Sequence, residues 1–71
     1  MAGVREIAIR GEMIRLGQLL KLADLVEVGS DAKLLLEQKL VTVNGEVETR
    51  RGRQLRRGDV VAVEDASVRI A

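Results

Sequence analysis

Residues 41–48 read Val41-Thr42-Val43-Asn44-Gly45-Glu46-Val47-Glu48. Two β-favouring runs flank an Asn-Gly pair, which is the strongest short-range hairpin signal. Two registers are open. A two-residue loop at Asn44-Gly45 pairs Val43 with Glu46 and Thr42 with Val47, which mixes apolar and polar partners. A loop through Val43-Asn44-Gly45, with Gly45 in the left-handed region, pairs Val41 with Val47. The second keeps one apolar face and is the expected register.

Working upstream, Ala32, Leu35, Leu36 and Leu40 recur at helical spacing, and Leu34 widens the stripe. This helix is expected to run to about Lys39, with Ser30 as its N-cap and Asp31 favourable in its first turn. Before it, Leu16, Leu19, Leu20 and Ala23 recur at i, i+3, i+4 and i+7. They predict a shorter helix over 16–25, with Gly17 as N-cap and Gly29 as the break that follows. Val4 to Arg10 has a rough period of two through Ile7 and Ile9 and reads as a strand ending before Gly11. Gly11 to Ile14 reads as a turn. Downstream, Arg57-Gly58-Asp59 is a turn into a strand at Val60, Val61 and Val63, and Val68-Arg69-Ile70 forms a last strand. The order β-α-α-β-β-β-β predicts an α+β fold, with two short helices on one face of a small, mainly antiparallel sheet of four to five strands.

The 71 residues make one small domain spanning 1–71, whose core must be economical. Hydrophobic residues are 46% of the chain and aromatics are absent, so Leu, Val, Ile and Ala must supply that core. No cysteine occurs, which removes disulfides and thiolate chemistry. No histidine occurs either, which removes the commonest general base and most transition-metal sites. Residues 1–10 lack the apolar core of a signal peptide. Apolar runs such as Leu34-Leu35-Leu36 fall far short of the roughly 20 residues a membrane span needs. A cytoplasmic protein without membrane attachment is expected.

Charge is segregated. Residues 50–57, Arg50-Arg51-Gly52-Arg53-Gln54-Leu55-Arg56-Arg57, hold five arginines and no acid. The twelve basic residues less these five leave seven, against eleven acidic ones, so the body leans acidic while the whole chain carries +1. Arginine outnumbers lysine nine to three. Its planar fork of donors matches phosphate oxygens, which favours anion recognition. Three readings stay open for the segment: a phosphate-backbone footprint, a solvated loop paired with the acidic body, or a surface for an acidic protein. Leu55 reads as a core anchor inside it, Arg50 to Arg53 as its free-standing part, and Arg57 as mostly turn.

Catalysis is poorly supported, and a non-catalytic protein is expected. Ser30, Thr42, Thr49 and Ser67 lack an activating base. The pairs Glu46/Glu48 and Glu64/Asp65 read as solvated surface charges, too few for a carboxylate metal site. No phosphate-loop or dinucleotide motif occurs. No cofactor, metal or small-molecule substrate is expected. Without Phe, Tyr, Trp or His, base stacking on aromatics is unavailable. Nucleic-acid binding would therefore rest on phosphates, 2′-hydroxyls and helix shape, which points to structured RNA.

Four stretches, in order, resemble the alpha-L RNA-binding domain, the module named after small-subunit ribosomal protein S-four. Arg15-Leu16-Gly17-Gln18-Leu19-Leu20 is similar to the family's opening Arg-Leu-x-x-x-Leu. Ser30-x-Ala32-Lys33 is similar to the opening of its second helix. Val41-Thr42-Val43-Asn44-Gly45 matches Val-x-Val-Asn-Gly, and Leu55-Arg56-Arg57-Gly58-Asp59-Val60-Val61 is similar to Val-x-x-Gly-Asp-x-Val. The resemblance covers about residues 14–63 and looks closest to small stand-alone bacterial members. It implies a helix-turn-helix-like pair beside a hairpin, forming a face for ribosomal or transfer RNA, with structured RNA and the ribosome as the implied partners. The RNA-binding residues it implies are Arg15, Lys33, Arg50, Arg51, Arg53 and Arg56, with Gln18 and Lys21 on the polar side of the first helix as lesser candidates. The family often carries Ser/Thr-Arg just before the second helix. Val28 and Gly29 stand there instead, which shifts the weight to the arginine segment.

Two rivals compete with RNA. Small sulfur carriers of ubiquitin-like shape share the Val-Asn-Gly and Gly-Asp-x-Val stretches and would make this a protein-interaction module. They end in Gly-Gly, whereas this sequence reads Val68-Arg69-Ile70-Ala71. The other rival is duplex DNA. A monomer is expected, since no apolar stripe is left over to demand a dimer.

Overall fold

The hairpin at Asn44-Gly45 closes with two residues. The structure, a computed structural model describing residues 3–71, places β3 at Val41–Val43 and β4 at Glu46–Val47. Thr42 pairs with Val47 and Val43 with Glu46. Asn44 (φ 53°) and Gly45 (φ 87°) both lie in the left-handed region, as a type I′ turn requires. The expected pairing of Val41 with Val47 is thereby corrected. The reason lies across the sheet, where Val41 and Val43 stand opposite Val63 and Val61 of β6 (Val60–Val63). Their burial is met there and by the helices, so β4 has no apolar face to supply and Val47 stays exposed.

β7 (Ala66–Ile70) and β1 (Val4–Ile7) complete a five-stranded sheet in the order β1-β7-β6-β3-β4. Every pairing is antiparallel except β1 with β7. Val41, Val43, Val61, Val63, Val68 and Ile70 alternate with outward residues and are buried on one face. The expected α+β architecture is present. The first strand stops at Ile7 instead of Arg10, and the last begins at Ala66 instead of Val68.

The helices are α1 (Leu16–Leu22) and α2 (Gly29–Glu37). Leu16, Leu19 and Leu20 of α1 and Ala32 and Leu36 of α2 pack into one core with Val26, Leu55 and the sheet valines. Each fully buried leucine contributes about 1.5–3 kcal/mol.

Both N-caps differ from expectation. Arg15, not Gly17, holds the extended N-cap position of α1, and Val28, not Ser30, holds that of α2. The Val28 carbonyl accepts from Asp31 N–H (3.1 Å), so Ser30 is already helical. Both helices end earlier than their apolar stripes suggest. Asp24 (φ 62°) and Lys39 (φ 60°) turn left-handed. At α1, Leu25 N–H reaches Leu20 C=O (2.9 Å) and Asp24 N–H reaches Lys21 C=O (3.1 Å). At α2, Leu40 N–H reaches Leu35 C=O (3.1 Å) and Lys39 N–H reaches Leu36 C=O (3.1 Å). These are two Schellman closures made without glycine.

A second, two-stranded ladder was not legible in the sequence. β2 (Ile14–Arg15) pairs antiparallel with β5 (Gln54–Leu55), with Ile14 opposite Leu55 and Arg15 opposite Gln54. It sews the start of α1 to the end of the arginine run. Among the described residues no helix is long and apolar enough to cross a membrane.

Candidate nucleic-acid interface

The first turn of α1 leaves backbone N–H groups without helical partners. Carbonyls of the arginine segment fill that need. Leu16 N–H donates to Arg53 C=O and Gly17 N–H to Arg51 C=O, both at 2.9 Å. Gln18 Oε1 also accepts from Arg15 N–H at 3.3 Å. The arginine segment is therefore docked along its backbone against the start of α1.

Docking shapes a cleft of about 380 Å³ lined by Arg15, Gly17, Gln18, Lys21, Gly29, Ala32, Arg51 and Gly52. Its small lining residues are Gly17, Gly29, Ala32 and Gly52, and its cationic groups are Arg15, Lys21 and Arg51. Among the described residues, none of these three has a carboxylate within ion-pairing distance. Gly17 permits the close approach of Arg51, because a Cβ at that position would stand 3.0 Å from Arg51 Cγ. A second groove shares Arg51 and is lined by Lys33, Leu36, Glu37, Thr49 and Arg51. Lys33 shares it with Glu37, whose Oε1 is 4.0 Å from Nζ on an exposed helix face. Such a pair is worth little.

Arg50 and Arg53 behave differently, and the expectation that Arg50 to Arg53 stand free is corrected. Glu48, read from the sequence as a solvated charge, is buried and takes both arginines. Oε2 accepts from Thr49 N–H (2.9 Å), Arg50 N–H (3.0 Å) and Arg50 Nε (3.2 Å). Oε1 accepts from Arg50 Nη2 (3.2 Å) and Arg53 Nη1 (3.0 Å). The Arg50 side chain, then its backbone N–H, and to a lesser degree Arg53 hold the Glu48 carboxyl at about 2, against an ordinary 4.5. Five donors outweigh the cost of burying the charge. An acid two and five residues ahead of arginines was the available sequence signal.

Arg56 does not line the cleft. Its backbone N–H donates to Asp59 Oδ2 (2.8 Å), while Asn44 Nδ2 donates to Asp59 Oδ1 (3.1 Å). Asn44 Oδ1 accepts from Val60 N–H at 2.9 Å. The backbone N–H of Arg56, aided by the Asn44 side chain, lowers the Asp59 pKa. The Asn of the hairpin and the Asp after Gly58 thus bind each other and hold two turns together. Gly58 (φ 96°) and Asp59 are structural here. Arg57 reaches back to the Ile9 carbonyl at 3.3 Å. The structure therefore gathers Arg15, Gln18, Lys21 and Arg51 in one cleft. It puts Lys33 in the adjoining groove, gives Arg50 and Arg53 to Glu48, and leaves Arg56 apart. No group of three or more potential metal ligands occurs among the described residues.

A family model described as the S4 domain matches residues 7–71. The chain belongs to the S4-domain family. The match extends past the 14–63 core suggested by the motifs and takes in β7, which adds Val68 and Ile70 to the inner sheet face. A protein of Bacillus subtilis (strain 168), named as a probable ribosome maturation protein, RlbA, is 53% identical to this S4-domain chain over 58 residues. That alignment covers 82% of each chain. S4 membership ties the chain to an RNA-related function.

Proposed function

We propose that this S4-domain protein is a non-catalytic binder of structured RNA that acts on ribosomal RNA or on the ribosome. The observation that carries this reading is the cleft that Arg15, Lys21 and Arg51 line together with glycines and Ala32. An RNA backbone can approach small lining residues closely, and three cations without carboxylate partners among the described residues are available to its phosphates. The similarity to a probable ribosome maturation protein supports ribosomal RNA as the target. Gln18 adds a neutral donor and acceptor, and Lys33 extends the basic surface. Arg50, Arg53 and Arg56 add long-range positive charge. Binding proceeds by phosphate neutralisation and counterion release, so log affinity falls with log salt at about 0.7–0.9 per contacted phosphate. The protein works as a monomer in the cytoplasm and uses no small-molecule substrate.

The test is binding to ribosomal RNA across potassium chloride concentrations, for wild type and Arg15→Glu/Arg51→Glu. The double variant is expected to bind at least about a hundredfold more weakly and to flatten the salt slope by about two contacts. Unchanged affinity would remove the cleft from the reading. A duplex DNA competitor equal to duplex RNA would remove the role of the 2′-hydroxyls.

A further inference from the structure

A buried carboxylate in the segment that supplies Arg51 to a basic cleft works against anion binding there on charge alone. Residues 48–54, Glu48-Thr49-Arg50-Arg51-Gly52-Arg53-Gln54, contain no apolar side chain that could anchor them to the core, and Glu48 is their only acid. We propose that Glu48 is a positioning residue for RNA binding, folding residues 48–53 into a clamp that presents Arg51 to the cleft. The inference rests on the RNA-binding reading above and names what organises that site.

Glu48 grips the segment on both sides of Arg51. Oε2 takes the backbone N–H groups of Thr49 and Arg50, ahead of it, and Oε1 takes the Arg53 guanidinium, after it. Arg53 N–H closes the turn onto Arg50 C=O at 3.3 Å. Arg51 and Gly52 are the residues left between these grips. The clamped turn aims the carbonyls of Arg51 and Arg53 at the open N–H groups of Gly17 and Leu16. That docking brings the Arg51 side chain across Gly17, beside Arg15 and Lys21. Ordering residues 48–53 carries a conformational cost, and the segment brings no apolar side chain to offset it. The charge-assisted bonds of Glu48 supply that stabilisation. Arg50 and Arg53, partly neutralised, serve chiefly as the arms of the clamp.

The decisive experiment uses Glu48→Gln, which keeps shape but replaces an acceptor with a donor. Affinity is measured for a fluorescein-labelled RNA hairpin and for ribosomal RNA, over a range of potassium chloride. If charge alone governed binding, loss of an acid and release of two arginines would tighten it. The clamp predicts instead roughly five- to tenfold weaker binding and a salt slope shallower by about 0.7–0.9, one phosphate contact. Arg51→Gln is then expected to cost little in the Glu48→Gln background, against its full cost in the wild-type background, because the two changes disable one contact. Amide exchange at Arg51 and Gly52 is expected to accelerate without RNA. If Glu48→Gln does not fold, Arg53→Gln is compared with Arg56→Gln, which changes charge equally. Only the former is expected to be non-additive with Arg51→Gln. Wild-type binding of RNA with equal or tighter binding by Glu48→Gln, additive effects, or equal effects of the Arg53 and Arg56 variants overturn the clamp alone. A wild-type protein that binds neither RNA overturns both this inference and the reading beneath it.

Discussion

Arg51 and Arg53 stand two residues apart in one basic run, yet their surroundings differ. Arg51 lies across the first turn of α1, shares a cleft with Arg15 and Lys21, and has no carboxylate within ion-pairing distance among the described residues. Arg53 is half-buried and bonded to Glu48 Oε1 at 3.0 Å. The difference teaches that charge density along a chain does not measure a contact footprint. Part of the run builds the site and part of it faces outward, and one buried acid makes the division.

The comparison can be broken most forcefully at Leu55, which is fully buried and holds the far end of the run to the core. Leu55→Ala should cost about 2–5 kcal/mol, read as a lower urea midpoint. Against a total stability of about 5–15 kcal/mol, this threatens the fold itself. A midpoint close to wild type would show that the run is anchored elsewhere.

Next in size is a crossed pair of substitutions. Arg51→Gln is expected to weaken RNA binding about tenfold, while stability moves by less than about 0.5 kcal/mol. Arg53→Gln is expected to lose about 1 kcal/mol of stability, because it removes a bond to a buried charge. Titration with RNA and thermal melts on both variants check the crossing. Identical profiles would erase the distinction between the two arginines.

Acid unfolding sharpens the same point. Folding lowers the Glu48 pKa from 4.5 to about 2, chiefly through Arg50. The charged form therefore stabilises the native state. Its contribution is complete above about pH 4.5 and disappears as pH falls through about 2. Asp59, lowered by the Arg56 backbone N–H, adds in the same direction. Urea melts at successive pH values should show the gap between wild type and Glu48→Gln narrowing across that window. A constant gap would mean that the Glu48 charge is not what the fold uses.

The smallest effect is a control far from the arginines. Lys39 closes α2 at φ 60°, where a side chain costs about 1–2 kcal/mol that glycine avoids. Set against the greater freedom of glycine in the unfolded chain, Lys39→Gly should gain about 0.5 kcal/mol. RNA affinity should remain unchanged. A loss of affinity would extend the interface beyond the cleft and its adjoining groove.

Much of the architecture was legible because it rests on local periodicity. The leucines of 16–20 and the stripe of 32–36 announce helices, and Asn44-Gly45 announces a hairpin. The register was misread because the faces of β3 are decided by β6, some twenty residues downstream. The N-caps were misread for a related reason. Ser30 has the right chemistry, but the Val28 carbonyl opens the helix earlier. In the candidate site, Arg15, Gln18, Lys21 and Arg51 were each singled out. Glu48 was not, since its spacing to Arg50 and Arg53 shows that a pairing is within reach but not that burial enforces it.

The sequence by itself determined the α+β class, the placement of both helices, Leu55 as a core anchor and the S4-type resemblance. These depend on spacing within a few residues, where side-chain period and turn chemistry act directly. Only the tertiary structure decided that β2 and β5 pair, that Asn44 binds Asp59, and that Arg51 meets Arg15 and Lys21. Those contacts join residues far apart in the chain. Burial then changes what an acid or an arginine can do, because a charge removed from water must find its partners in the protein.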